Sequence, residues 1–273
     1  MRRSGTIAGV SLVALLTLTA SAWAHVETTS ESFDAEAALE RSRAAVGRRL
    51  GDHVLLSAQG EQVPLSAFRG KPLVVSLVYT SCDRTCPTMT RQLAETVEVA
   101  REAVGPDSFN VLTVGFDSGV DTPDRMRRFA AERGIDDPNW TFAAADPVTI
   151  ETMTAELGFS YFPSPRGFDH LTQTSIIDAG GRVHQQVYGE LIHRPALVEP
   201  IKQLVWDLEA DPTSWSGWLK GVKLFCTVYD PNTGRYEFEY SFFIGLFIGI
   251  VTLGSVAVFV IRAWRQTNRS RAV

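Results

Sequence analysis

Cysteine is scarce in this chain: Cys82, Cys86 and Cys226 are the only three in 273 residues. Three thiols cannot staple a chain of this length, which excludes the small disulfide-framework class and makes their placement more informative than their number. A basic excess is also missing. The 26 Lys and Arg are outnumbered by 31 Asp and Glu, for a formal net charge of −5, so no electrostatic grip on nucleic acid is expected. No internal repeat or low-complexity tract is present, which argues against a solenoid or array. Two further absences are local. Ser241 to Ile261 contains no charged residue, and no acid follows Glu239.

Those local absences define the two ends. Residues 1–24 carry Arg2 and Arg3, then an apolar run, then Ala22-Trp23-Ala24. This is the layout of a secretory signal peptide cleaved after Ala24, with an uncleaved N-terminal anchor as the alternative. The apolar residues expected directly after a twin-arginine export pair are lacking. At the other end, residues 241–261 form a run long enough, at about 1.5 Å per helical residue, to cross the roughly 30 Å of a bilayer core. Arg262, Arg265, Arg269 and Arg271 follow it, which places residues 262–273 in the cytoplasm by the positive-inside bias. Tyr236, Tyr240 and Trp264 fit interfacial anchors. The expectation is a single C-terminal span in the cytoplasmic membrane, with the preceding domain facing the periplasm or the cell exterior. Between Ala24 and Ser241 lie 20 basic and 31 acidic residues. Such a field repels nucleic acid and anionic lipid and is compatible with cationic or metal partners.

Between the ends, residues 25–46 read as a polar extension with a short helix over 35–46, and a domain is expected over 47–210. Two short strands flank Gln59-Gly60-Glu61. Leu73–Tyr79 is apolar on both faces, as a central buried strand should be. A helix is predicted over 88–104, a strand over 110–116, and a helix from the Thr122-Pro123-Asp124 start signal to Gly134. A strand over 140–145 and a helix over 147–157 come next. Phe159–Asp169 reads as a loop rich in proline, glycine and aromatics that ends at His170. A hairpin is predicted around Asp178-Ala179-Gly180-Gly181 and a last helix over 195–208. This order predicts an α/β, thioredoxin-like fold, a central mixed sheet flanked by helices. A juxtamembrane segment, 211–240, separates it from the transmembrane helix.

Cys82 and Cys86 lie between the buried strand and the following helix, with Pro87 behind them. Thiols there sit at the C-terminal end of the sheet, where a helix N-terminus favours thiolate. Thiolates both attack disulfides and ligate soft metals, so position alone leaves both readings open. Three intervening residues, against the two of redox thioredoxins, widen the bite toward a single metal ion. His170, in the loop before a strand, is the expected third ligand. Two thiolates and an imidazole suit Cu(I) and can also hold Cu(II), whereas zinc usually recruits a fourth protein ligand.

Tyr79–Thr90 (YTSCDRTCPTMT), Phe116-Asp117 with Asp121-Thr122-Pro123, and Asp169-His170 before a strand ending Asp178-x-x-Gly181 resemble the Sco/SenC copper-chaperone family from about Gly47 to Leu208. The resemblance implies copper bound by Cys82, Cys86 and His170, with Asp117 as an acid that tunes the site from outside the ligand set. It implies a copper-accepting oxidase subunit as partner and a role in assembling the binuclear copper site of cytochrome c oxidase. The protein would act as metallochaperone, as reductase of the target cysteines, or both, and not as a classical enzyme. The anchor departs from the family pattern, since many members carry theirs at the N-terminus. Cys226 reads as an apolar residue near the membrane or as a third thiol that accepts copper. His25, His53, His184 and His193 are expected to have no role at the metal. The rivals are a membrane-anchored thiol–disulfide oxidoreductase with His170 as auxiliary base, and a sensor signalling through the membrane helix, against which the short C-terminal tail argues.

Overall fold

The computed structural model describes residues 33–82, 85–209, 227–231, 233–238 and 240–270. The expected signal peptide, Cys226 and most of the segment 211–240 therefore lie outside the described residues. The first described element, α1 (Ala35–Ala44), starts where the Asp34 carboxylate accepts the backbone N–H groups of Glu36 and Ala37, satisfying donors that a helix end leaves open.

Seven strands form one mixed sheet. They are β1 (Val54–Ser57), β2 (Gln62–Pro64), β3 (Leu73–Val78), β4 (Asn110–Gly115), β5 (Trp140–Ala144), β8 (Gln173–Ile177) and β9 (Val183–Tyr188). Their order is β2-β1-β5-β4-β3-β8-β9. The β3–β4 and β4–β5 pairs are parallel, and β1–β5, β3–β8 and β8–β9 are antiparallel. Parallel neighbours need crossovers, and helices supply them: α2 (Thr85–Val104) after β3 and α3 (Pro123–Ala131) after β4. All six residues of β3 are buried, as its two-faced apolar run requires.

Local chemistry sets the helix ends. The Thr122 hydroxyl accepts the Arg125 N–H, with Pro123 at the first helical position, where the missing N–H costs nothing. The Asp146 carboxylate caps α4 (Pro147–Leu157), and Gly158 ends it at φ +67° in the left-handed region open to glycine. A last domain helix, α5 (Arg194–Glu209), packs with α2 over one face of the sheet. The Trp140 indole N–H donates to the buried Thr113 hydroxyl at 2.9 Å, and its ring stacks on Phe142.

Three expectations need correction. Helix α2 begins at Thr85, so Cys86 lies inside its first turn rather than before it; Pro87 is tolerated there because first-turn N–H groups have no intrahelical partner. Residues 159–169 are not a loop. They hold β6 (Tyr161–Ser164) and β7 (Gly167–His170), a two-stranded hairpin. Proline is admissible on such an isolated edge, and Gly167, at φ +116°, carries the turn. Finally, Tyr236 is no interfacial anchor. It is 9% exposed and belongs to the domain core, within a second hairpin of β10 (Thr227–Asp230) and β11 (Arg235–Phe238).

The chain ends in α6 (Ser241–Ser270), which contains one stretch long and apolar enough to cross a membrane. Phe243–Arg262 has a mean hydropathy of 2.6, and none of it is buried.

Helix α1 packs on the domain at the end of α4. A Cβ on Gly158 would stand 2.5 Å from the Arg41 carbonyl and 2.9 Å from the Ala45 methyl. Gly158→Ala therefore combines an unfavourable φ with a backbone clash, and is expected to destabilise the domain by roughly 2–4 kcal/mol in chemical denaturation.

Candidate metal centre

The C-terminal ends of β3 and β4 bring their following loops side by side. Asp121, 1% exposed, ties them together. Its Oδ1 accepts the Thr80 backbone N–H at 2.8 Å and the Thr80 hydroxyl at 2.6 Å, and its Oδ2 accepts the Asp117 N–H at 3.0 Å. A side chain at 115 would collide with this carboxylate, since a Cβ there would stand 2.4 Å from the Asp121 Cβ. Burial pushes the Asp121 carboxyl above the usual carboxylate range; its three donors pull the other way.

The thiols sit on this platform. Cys82 is half-buried and Cys86 buried, and they are thiols rather than a disulfide. The Cys86 backbone N–H donates to the Cys82 sulfur at 3.3 Å, a use of the open donors at a helix start. Burial, with smaller contributions from the neighbouring Cys82 and Asp121, pushes the Cys86 thiol up to about 12. Desolvation by the core therefore opposes the thiolate that a helix N-terminus favours.

His170 closes β7 inside an aromatic enclosure. Its ring lies 5.4 Å from Phe159, 5.7 Å from Phe116 and 6.0 Å from Tyr79, measured between centroids. Nδ1 is 3.1 Å from the Leu171 carbonyl. A carbonyl only accepts, so Nδ1 carries the proton and Nε2 keeps its lone pair. Burial lowers the His170 pKa below 6.5, so at neutral pH the ring is an uncharged donor ready for a metal.

Tyr79 connects the two halves. Its ring packs edge-on against Phe168 at 5.3 Å and His170 at 6.0 Å, its carbonyl accepts the Cys82 N–H at 3.2 Å, and burial with Cys82 beside it pushes its phenol up to about 12. Glycine at 167 makes this possible: a Cβ there would stand 2.9 Å from the Tyr79 hydroxyl. Nothing in the sequence marked Tyr79 or Asp121 for these roles, although both lie in the quoted motifs.

The structure thus pairs Cys82 with Cys86 and links His170 to them through Tyr79. Among the described residues no three His, Cys, Asp or Glu side chains converge at metal-ligating distance, so a metal bound by all three would have to draw His170 and the thiols together. The donor chemistry itself fits a soft ion: two sulfurs and a neutral imidazole nitrogen. Asp117 lies at the end of β4, where its backbone, through N–H and C=O, holds the Asp121 turn. Away from the site, His53 pairs with Glu156 at 2.7 Å.

Comparison with known proteins settles the lineage. A family model described as SCO1/SenC matches residues 42–205, more than half of the chain. The chain belongs to the SCO1/SenC family. It is 22% identical over 136 residues to the SCO1 protein homolog of Bacillus subtilis (strain 168), a match spanning 48% of this chain and 68% of that one. The SCO1/SenC family lipoprotein of Bacillus anthracis str. Ames superposes with a TM-score of 0.53 at 19% identity, covering 58% of this chain and 95% of that one. Arabidopsis thaliana ScoI, solved with copper bound, gives 0.51 at 17% identity, with 57% and 98% covered. At these identities the superpositions establish the fold, which is thioredoxin-like.

The Asp121 carboxylate is predicted to be the structural key of the SCO1/SenC site. Asp121→Ala strands the buried Thr80 and Asp117 N–H groups and is expected to cost about 2–4 kcal/mol in denaturant unfolding. An unchanged unfolding midpoint would show that water or backbone rearrangement replaces it.

Proposed function

We propose that this family member binds copper with Cys82, Cys86 and His170 and delivers it to a copper-accepting subunit of a membrane oxidase, serving assembly of the binuclear copper site of cytochrome c oxidase. The observation that carries the reading is the imidazole of His170, uncharged and with Nε2 open, joined through Tyr79 to a dithiol at a strand–helix junction. Membership of the family and the copper-bound ScoI relative support it. Copper is cargo here. Cu(I) displaces the thiol protons of Cys82 and Cys86 to solvent and takes the Nε2 lone pair, and the thiols leave it stepwise for the acceptor. Asp117, beside the platform, adjusts the site electrostatically.

The domain boundaries fit the same reading: a cleaved signal peptide over 1–24, an extension over 25–46, the copper-binding domain over 47–210, the segment 211–240, a membrane span over 241–261 and a cytoplasmic tail over 262–273. The exposed apolar stretch of α6 supports a single span, with the domain facing the periplasm or the cell exterior. Cys226, fifteen positions before Ser241 in the sequence, is assigned no ligand role.

A second activity is favoured by the placement of a half-buried thiol in front of a buried one. The pair can reduce a disulfide in the acceptor: Cys82 attacks, Cys86 resolves, two electrons pass to the target, and Cys82–Cys86 becomes the disulfide. BsSco, a member of the Sco family of cytochrome c oxidase assembly proteins, is described with a disulfide switch.

Competition titration of the reduced protein with a chromophoric Cu(I) chelator tests the reading. One equivalent is expected, lost in Cys82→Ala and weakened in His170→Ala. Because the Cys86 thiol sits near 12, its proton must leave at any ordinary pH. Affinity should therefore rise at least about tenfold per pH unit between pH 7 and 9. His170, held below 6.5, adds to that slope only in more acidic solution. No Cu(I) binding by the reduced protein, with Cys82 and Cys86 still exchanging disulfides, would transfer the protein to the oxidoreductase reading, and full Cu(I) retention in His170→Ala would remove His170 from the ligand set.

A further inference from the structure

The anchor at the C-terminus is joined to the domain in an unexpected way. From the end of α5 to the start of α6 the chain runs through residues 210–240. As a plain linker, 31 residues could extend to about 100 Å and would leave the domain loosely tethered. The β10–β11 hairpin removes that freedom, because it is fastened to the α2–α5 face. The Lys202 ammonium donates to the Thr227 carbonyl at 2.6 Å and lies 4.9 Å from the centroid of the Tyr236 ring. The Arg194 guanidinium donates to the Gly234 carbonyl at 2.6 Å. Arg235 pairs with Glu102 on α2 at 3.8 Å. Tyr236 is buried in the domain core, and its ring packs on Tyr229 at 5.4 Å.

Only two residues then separate Phe238, the end of β11, from Ser241, where α6 begins. The Tyr240 carbonyl already accepts the Ile244 N–H at 3.0 Å, so the helix begins without slack. The three Cα–Cα steps from Phe238 to Ser241 span at most about 11 Å. We propose that the β10–β11 hairpin is a strap that locks the α2–α5 face to the membrane anchor, making this face the bilayer-proximal side and holding the thiols at a fixed height above the lipid. The proposal rests on the reading of α6 as a membrane span. Cys86 lies sixteen positions from Glu102 along α2, roughly 24 Å at 1.5 Å per residue. The thiols thus stand at the end of a rigid rod whose base is strapped near the membrane. The partner this geometry fits is a copper acceptor embedded in the same membrane, with its site at a matching height. A strapped donor meets such an acceptor at a far higher effective concentration than one on a long tether.

The test uses the full chain in lipid nanodiscs with genetically encoded spin labels replacing Arg125, exposed on α3, and Trp264, exposed on α6 beyond the apolar stretch. Pulsed electron–electron resonance should give one narrow distance distribution. Tyr236→Ala should widen it about twofold. A flexible Gly/Ser octapeptide inserted after Tyr240 should widen it equally while leaving the domain's unfolding transition unchanged, which keeps the test decisive if Tyr236→Ala fails to fold. A distribution in the unaltered chain as broad as in the insertion variant overturns the strap. Release of the protein from membranes by alkaline carbonate overturns the membrane reading on which the proposal rests. Retention with a broad distribution overturns the strap alone.

Discussion

The three hydrogen bonds converging on the Asp121 carboxylate are the constraint on which the site depends. They clamp Thr80, which leads into the thiol loop, against Asp117, which leaves the neighbouring strand. The two parallel strands supply the register, and the carboxylate ties together the two loops that leave them. Its burial is unfavourable for a charge, and the three donors are what make it tolerable. Gly115 has to be glycine for this carboxylate to approach the strand. From that platform the first turn of α2 carries Cys86 into the core, and Cys82 stays half-buried at the surface.

Electrostatically, the site is tuned by desolvation more than by neighbouring charge. Burial raises the Cys86 thiol and lowers the His170 imidazole. Both shifts favour the neutral form, which is what removal from water does to an acid and a base alike. A neutral imidazole is ready to ligate at once, whereas a protonated thiol must first release its proton. Metal uptake by such a pair is therefore coupled to pH through the thiol. Tyr79 holds Cys82 and the β6–β7 hairpin in a common network.

Much of the fold was legible in the residues. The two-faced run of β3, the Thr122-Pro123 start of α3, the Asp146 cap with Gly158 at the end of α4, and the hairpin around Gly180-Gly181 each announced themselves by short-range chemistry. The β6–β7 hairpin did not, because its proline and glycine carry turn signals and its burial comes from aromatic partners far away in sequence. Tyr236 misled for a related reason. An aromatic residue near an apolar helix suits a membrane interface, but tertiary contacts with α5 drew it into the domain. The thiols and His170 stand out by their sequence context, between a buried strand and a helix and just before a strand. Asp121 and Tyr79 do not, since their partners are backbone groups and side chains that only the folded chain brings near.

The copper-binding reading holds that one metal ion draws the His170 imidazole to the adjacent thiols of Cys82 and Cys86. Cu K-edge X-ray absorption on the Cu(I)-loaded full chain tests it most directly. The account predicts two sulfur scatterers and one imidazole nitrogen, with the nitrogen shell lost in His170→Ala and the sulfurs kept. A first shell of sulfur alone, unchanged by His170→Ala, would contradict it.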